Sequence, residues 1–375
     1  MCVILRKGSF GCHRQSQPAS ATLRNIFEKD LSRSQEIEFF SRSGINATQI
    51  YKLNQKRNIQ VSQMVSNPLE TELVKSANDA YLAGNTNEAL TLLNKELSLN
   101  PQNHLALFTK GMIEYNAGQI ELALGNLNKA CERGKNISYY YKILGRIYLR
   151  IFLNTGNADF CEMSLATFGK ALEITNYDAE LLFYIGNLYY QYAILGTPNP
   201  YSSDNQELYA RSLQAFSYSI ELYPTAEAYA ARANVKKMIQ DYNGAIIDCD
   251  KAIELAPDYY RGYFTRGDIK IFDLKSFDGI VDLGRALALV TDPKEKADIL
   301  GVRATAYETK AFQELGSDAG ELVAKAIQDY SDAYELDSKP LYKKYQEALI
   351  DRLTEYVKKK KKIPRSLNRQ TDRIC

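Results

Sequence analysis

Apolar and small residues carry the strongest signal in this chain. From about residue 70 to about residue 338, helix-like stretches follow one another, and a small residue returns in them every thirty-four positions or slightly more. Ala77, Gly111, Gly145, Gly186, Ala233, Gly267 and Ala304 stand 34, 34, 41, 47, 34 and 37 residues apart, often with a Tyr three or four places later. A period in this range predicts a repeat architecture, in which each unit buries its apolar face by stacking on its neighbours. Tandem stacking also predicts one continuous unit rather than two or three separate globules.

Aligning the units on these residues brings out further small positions. Ala89, Ala123 and Ala245 lie twelve residues on. Ala130 and Ala252 lie seven after that, with Ala171, Ala286 and Ala333 as equivalents in the displaced units. Between them stands a bulky residue: Leu93, Leu127, Phe168, Phe216, Leu283 or Tyr330. Pro101, Pro224 and Pro257 close their units. The spacing predicts a helical hairpin. Small residues let two antiparallel helices approach closely. The bulky residue is expected to fill the gap between hairpins. Proline, lacking an N–H, stops the second helix.

The pattern resembles the tetratricopeptide-repeat family. Thr86-Asn87-Glu88-Ala89-Leu90 through Leu99-Asn100-Pro101 is close to that consensus, as is Asp241-Tyr242-Asn243-Gly244-Ala245 through Leu255-Ala256-Pro257. The resemblance covers about residues 70–338. Leu73, Leu107 and Leu300 depart from it where the consensus has an aromatic, and Lys135, Asn176, Thr291 and Ser338 replace the terminal proline. It implies an all-α fold, a right-handed superhelical solenoid of antiparallel helix pairs. The expected organisation is a basic, largely disordered segment over 1–66 with room for short helices, about seven repeats over 67–338, a capping helix over 339–357 and a basic disordered tail over 358–375. In the cap, Leu341, Tyr345, Leu349 and Leu353 form one apolar stripe.

Composition changes the picture little. The chain has 375 residues, 45% of them hydrophobic, enough for a sizeable core. No stretch approaches the ~20 apolar residues that span a bilayer. Cys2, Cys12, Cys131, Cys161, Cys249 and Cys375 are scattered, without metal-ligand spacing, and only His13 and His104 could join them. No metal, cofactor or disulfide framework is expected, and a reducing, cytoplasmic setting follows. Two alternatives stand beside it: organelle targeting through residues 1–27, which contain no acid, and a nuclear address in Lys358–Lys362.

Charge is unevenly distributed. Residues 1–69 carry a net +6 and residues 358–375 a net +7, which leaves −11 for residues 70–357 in a chain of net +2. An acidic array is a poor partner for a phosphate backbone. It favours basic segments of proteins instead. Neither nucleic acid nor membrane is expected as a partner of the array, and nothing indicates a homo-oligomer. Three units carry extra residues around Asn154–Asn157, Gly196–Pro200 and Gly316–Gly320, whose Gly, Pro and Asn content reads as loops on one edge.

The resemblance implies that the first helix of each hairpin lines a concave groove. Positions three before, one after and four after the small residue would point into it. On that basis Asn78, Tyr81, Phe108, Met112, Tyr115, Lys142, Arg146, Phe183, Asn187, Tyr190, Asn234 and Phe264 are the candidate groove residues. Asparagine amides both donate to and accept from a peptide main chain. The aromatics offer large contacts with few rotamers to freeze. Lys142 and Arg146, one turn apart, are a candidate anion contact. The five-residue carboxylate clamp of some family members is absent, since Val74 and Thr109 stand at two of its positions. No Gly-rich phosphate loop or nucleophile–base pair occurs, so no enzyme is expected. The reading is a protein–protein scaffold holding an extended peptide between Asn78 and Asn234. The alternative is a regulatory or chaperone-like subunit that contacts folded partners through loops and basic tails.

Overall fold

Seven consecutive helix pairs and a terminal helix account for the described residues of the computed structural model. It describes residues 69–175, 178–196, 205–314 and 319–362, the last seven by backbone alone. The expected basic segment 1–66 and residues 363–375 lie outside them. The pairs are α1 (Glu72–Leu82) with α2 (Thr86–Leu99), α3 (His104–Asn116) with α4 (Ile120–Arg133), α5 (Ser138–Thr155) with α6 (Ala158–Thr175), and α7 (Ala179–Leu195) with α8 (Gln206–Leu222). Then come α9 (Ala226–Met238) with α10 (Tyr242–Leu255), α11 (Tyr260–Asp268) with α12 (Gly279–Leu289), α13 (Pro293–Glu314) with α14 (Ala319–Asp337), and finally α15 (Pro340–Lys362).

Local chemistry sets the helix starts. The side chains of Thr71, Asn103, Asp178, Thr225 and Asp241 each accept a hydrogen bond from the backbone N–H three residues on. Such caps satisfy a donor that the first turn leaves open. Asn103 does more, because it is fully buried. Its amide donates to the Leu69 carbonyl and to Glu96 Oε1, while Glu96 Oε2 accepts from the Thr71 hydroxyl at 2.8 Å. The first pair is thereby tied to the second.

The small residues hold the two helices of one pair together. A Cβ on Gly111 would lie 2.7 Å from Leu127, one on Gly145 2.5 Å from the Phe168 ring, and one on Gly186 2.9 Å from Phe216. The bulky residue therefore fills the space inside a hairpin, against its own first helix, and not the gap between hairpins. Both residues sit on the mutual face of two antiparallel helices, so a missing side chain on one makes room for a large one on the other.

Three further expectations change. The described residues fall into two compact units, 69–224 and 225–362, divided after the exposed Pro224. The extra residues near Asn154 lengthen the helices instead of forming a loop: α5 and α6 have 18 residues each, joined by Gly156 and Asn157. Gly156, at φ +68°, turns the chain where a side chain would be strained. The segments 197–204 and 315–318 lie outside the described residues.

The third change concerns the cap. Helix α15 runs to Lys362, five residues beyond the expected end. Lysine is a good helix former, and positive charge at a helix C-terminus is favoured by the macrodipole. Tyr342, not Leu341, lies on the buried stripe with Leu349. Its ring packs beneath Gly301, and its hydroxyl donates to Asp298 at 2.5 Å.

Candidate functional site

A first helix has one face closed against its partner by the small residue. The positions three before, one after and four after that residue lie on another stripe, partly shared with the neighbouring pair. In residues 69–224 this stripe runs over α1, α3, α5 and α7. Asn78 and Tyr81 are half-buried on α1, and Asn78 makes no side-chain hydrogen bond among the described residues. The Tyr81 hydroxyl accepts from the exposed Asn116 amide at 2.9 Å, which links α1 to α3 along the stripe. Met112 and Tyr115 are half-buried at the margin of the core. Asn187 accepts from Gln191 at 3.5 Å, and the Tyr190 ring lies 6.5 Å from Tyr209. Phe183 is half-buried between Tyr184 and Phe216.

Three of the expected contacts are already engaged inside the protein. Phe108 is only 9% exposed and stacks on Tyr140 of the next pair, with centroids 4.4 Å apart. It packs hairpin on hairpin and offers a ligand little. Lys142 reaches Asp178 at 3.0 Å and Glu180 at 2.8 Å. Arg146 lies over the Tyr184 ring at 4.9 Å and 3.9 Å from Glu180. The proposed anion pair is therefore spent on the two carboxylates that open α7. Burial alone would lower the Lys142 pKa, but its hydrogen bonds and the nearby negative charges outweigh burial and raise it. Glu180 shows the reverse: burial works to raise its pKa, and the bonds and charges of Lys142, Tyr184 and Arg146 bring it down. Val74, Leu149, Ala230 and Ile271, from the same positions of other repeats, are also buried. A neighbouring helix covers them, which spacing along one helix does not reveal.

Asn234 and Phe264 belong to the second unit. Asn234 accepts from the Thr265 hydroxyl at 3.4 Å, and Phe264 packs against the cluster shared by α11, α12 and α13.

That unit holds a feature the sequence reading passed over. Arg232 donates through Nε and Nη2 to both oxygens of Asp248, each at 2.8 Å. Arg266 does the same to Asp282 at 3.1 and 2.6 Å, and Arg303 to Asp329 at 2.7 and 2.8 Å. The three aspartates are buried. Lys236 and Lys270 add a further contact to Asp248 and Asp282. Each Arg immediately precedes the small residue of its repeat, and each Asp immediately precedes the bulky one. The signal was present as a twice-repeated spacing of 16 residues, hidden because the pairing is made across two helices and not along one.

Among the described residues no group of three or more His, Cys, Asp or Glu is placed to hold a metal ion. No described helix is long and apolar enough to cross a membrane. Burial pushes the thiols of Cys131, Cys161 and Cys249 up to about 12, which suits inert packing residues.

Comparison with known proteins agrees with this geometry. No family model matches the chain. Hsp70-Hsp90 organizing protein 3 of Arabidopsis thaliana is 23% identical over 245 residues, covering 60% of this chain and 43% of that protein. Hsp70-Hsp90 organizing protein 1 of Glycine max is 22% identical over 247 residues, with 61% and 43% covered. The chain thus spans less than half the length of these relatives. A crystal structure of a tetratricopeptide repeat protein from Parabacteroides merdae ATCC 43184 superposes with a TM-score of 0.55 at 17% identity, over 74% of this chain and 98% of that one. Its fold is the one formed here by paired helices, small residues and bulky partners: the chain has the tetratricopeptide-repeat fold.

Proposed function

We propose that the chain is a non-catalytic scaffold that holds an extended segment of a partner protein along the first-helix stripe of residues 69–224. The observation that carries this reading is the run of half-buried amides, aromatics and one methionine on that stripe: Asn78, Tyr81, Met112, Tyr115, Asn187 and Tyr190. Half-burial fixes these side chains while leaving an edge to meet a ligand. Amides bond a peptide main chain, and Tyr and Met offer contact area for its side chains. The plant relatives, named as organizing proteins of Hsp70 and Hsp90, support a protein as the partner. The net −11 of residues 70–357 favours one with basic surface. A reducing, cytoplasmic setting belongs to the same proposal, supported by three free, buried cysteines.

The test is a pull-down with the full chain from its native cell, followed by calorimetry with short synthetic segments of the recovered partner. Each main-chain hydrogen bond contributes about 0.5–1.5 kcal/mol net. The double variant Asn78→Ala, Asn187→Ala should therefore weaken a bound segment by about tenfold, since 1.4 kcal/mol is a factor of ten. Unchanged affinity would move the site off this stripe. Binding of folded partner only, with no short segment active, would favour the alternative of a subunit within a larger assembly.

A further inference from the structure

The Arg–Asp clasps of the second unit draw attention to the same place in the second pair of the first unit. There Lys110 stands where Arg232 and Arg266 stand, and Asn126 replaces Asp248 and Asp282. The carboxylate comes instead from Glu114, one turn along α3. Its side chain is only 4% exposed. Glu114 Oε2 accepts from the Asn126 amide at 2.7 Å. Oε1 has no hydrogen bond among the described residues. Its nearest cation, Lys110 Nζ, is 3.8 Å away and donates to Asn94 Oδ1 at 2.7 Å instead. Three clasps in this chain satisfy a buried carboxylate with a two-pronged guanidinium; here the carboxylate is present and the guanidinium is not.

Glu114 lines a groove of about 420 Å³ bounded by α2, α3 and α4. Leu90 and Leu122 give it apolar walls, with Leu122 59% exposed. Gly125 forms part of the α4 side, and a Cβ there would meet nothing within 4 Å. Glycine inside an exposed helix costs about 1 kcal/mol against alanine. No packing inside the protein requires it, so it suits close approach of an outside backbone.

We propose that this groove is a second docking site, apart from the first-helix stripe, which receives an arginine side chain from a partner protein. The apolar walls take the arginine stem, as amphipathic side chains bury their methylenes and keep the charged head on polar ground. The guanidinium donates to Glu114 Oε1 and has further donors for the amide oxygens of Asn94 and Asn126. Its planar fork matches two neighbouring acceptors, which a lysine ammonium does not. Glu121 adds a second negative charge to the lining and Lys129 a positive one.

The probe is N-acetyl-arginine N-methylamide, titrated into the full chain with labelled leucine methyl groups. Saturable shifts confined to Leu90 and Leu122 are expected, weakened about tenfold or more by Glu114→Gln, because a charge-assisted bond is lost. Gly125→Phe plugs the groove without touching the core and should abolish the shifts while leaving the helical circular dichroism unchanged. It keeps the test decisive if Glu114→Gln fails to fold. An equal response to the norleucine analogue, shifts that survive Gly125→Phe, or the absence of saturable shifts with arginine would each overturn the proposal. None of these outcomes depends on the stripe, so failure here leaves that reading standing.

Discussion

In residues 69–224 paired helices meet through a bulky residue laid over a small one, and in two of the four pairs this is an aromatic ring over a glycine: Phe168 on Gly145 and Phe216 on Gly186. The hydroxyls of Ser164 and Ser212 donate to the carbonyls of the same two glycines, at 2.8 and 2.7 Å. Around them one apolar cluster runs without interruption from Leu107 to Ala215 and takes in Tyr140, Tyr141, Tyr148 and Tyr189. In residues 225–362 the apolar residues form several smaller clusters, and each of the three pairs carries a guanidinium–carboxylate clasp beside its small residue. One unit thus secures its pairs by shape and the other by charge and geometry. Shape is tolerant of salt and pH but punishes added volume. A buried ion pair tolerates changes around it, but losing one partner strands the other charge.

The largest expected effect tests the charged side. Asp282→Ala would take the two-pronged partner from Arg266, which keeps Asp250, and the carboxylate from Lys270, and should cost residues 225–362 about 3 kcal/mol. Hydrogen exchange should register the loss there and leave residues 69–224 protected as before. A loss below about 1 kcal/mol would mean that the clasp behaves as an ordinary surface pair. Next comes the volume-sensitive side. Gly145→Leu drives a side chain into the Phe168 ring and should cost about 2 kcal/mol by denaturant unfolding. Wild-type stability in that variant would show that ring and glycine are not in firm contact.

A smaller effect distinguishes the two kinds of polar support. Ser212→Ala removes one neutral hydrogen bond to a carbonyl and should cost about 1 kcal/mol. A cost equal to that of Asp282→Ala would erase the distinction drawn between the units. The smallest change has the opposite sign. Gly125→Ala should stabilise the first unit by about 0.5–1 kcal/mol, because the position is helical and its surroundings are open. A destabilised Gly125→Ala would mean that the glycine serves the fold and not an outside partner.

Much of the scaffold was legible before any coordinates. The recurrence of Ala77, Gly111, Gly145 and Gly186 located the pairs because steric exclusion acts at single positions and leaves a mark at each one. Thr71, Asn103 and Asp178 mark helix starts for an equally local reason. The stripe was less legible. Phe108 and Tyr115 occupy neighbouring stripe positions on α3, yet Tyr140 of the next pair covers Phe108 and leaves Tyr115 half open. Lys142 looked like a free cation until Asp178 and Glu180, 36 and 38 residues later, came within reach.

The sequence by itself determined that this protein is an array of paired helices, where each pair closes, and that net positive charge sits outside the repeats and net negative charge within them. These are properties of helical spacing and of residue volume, which need no knowledge of neighbours. Only the tertiary structure decided that bulky residues face their own partner helix, that extra residues lengthen α5 and α6, and that Arg266 belongs to Asp282. It also decided that Glu114, bonded to Asn126 through one oxygen, lines a groove. Burial and ionic pairing are set by distances across helices, and the same side chain is solvated, clasped or poised for a ligand according to what another helix places opposite it.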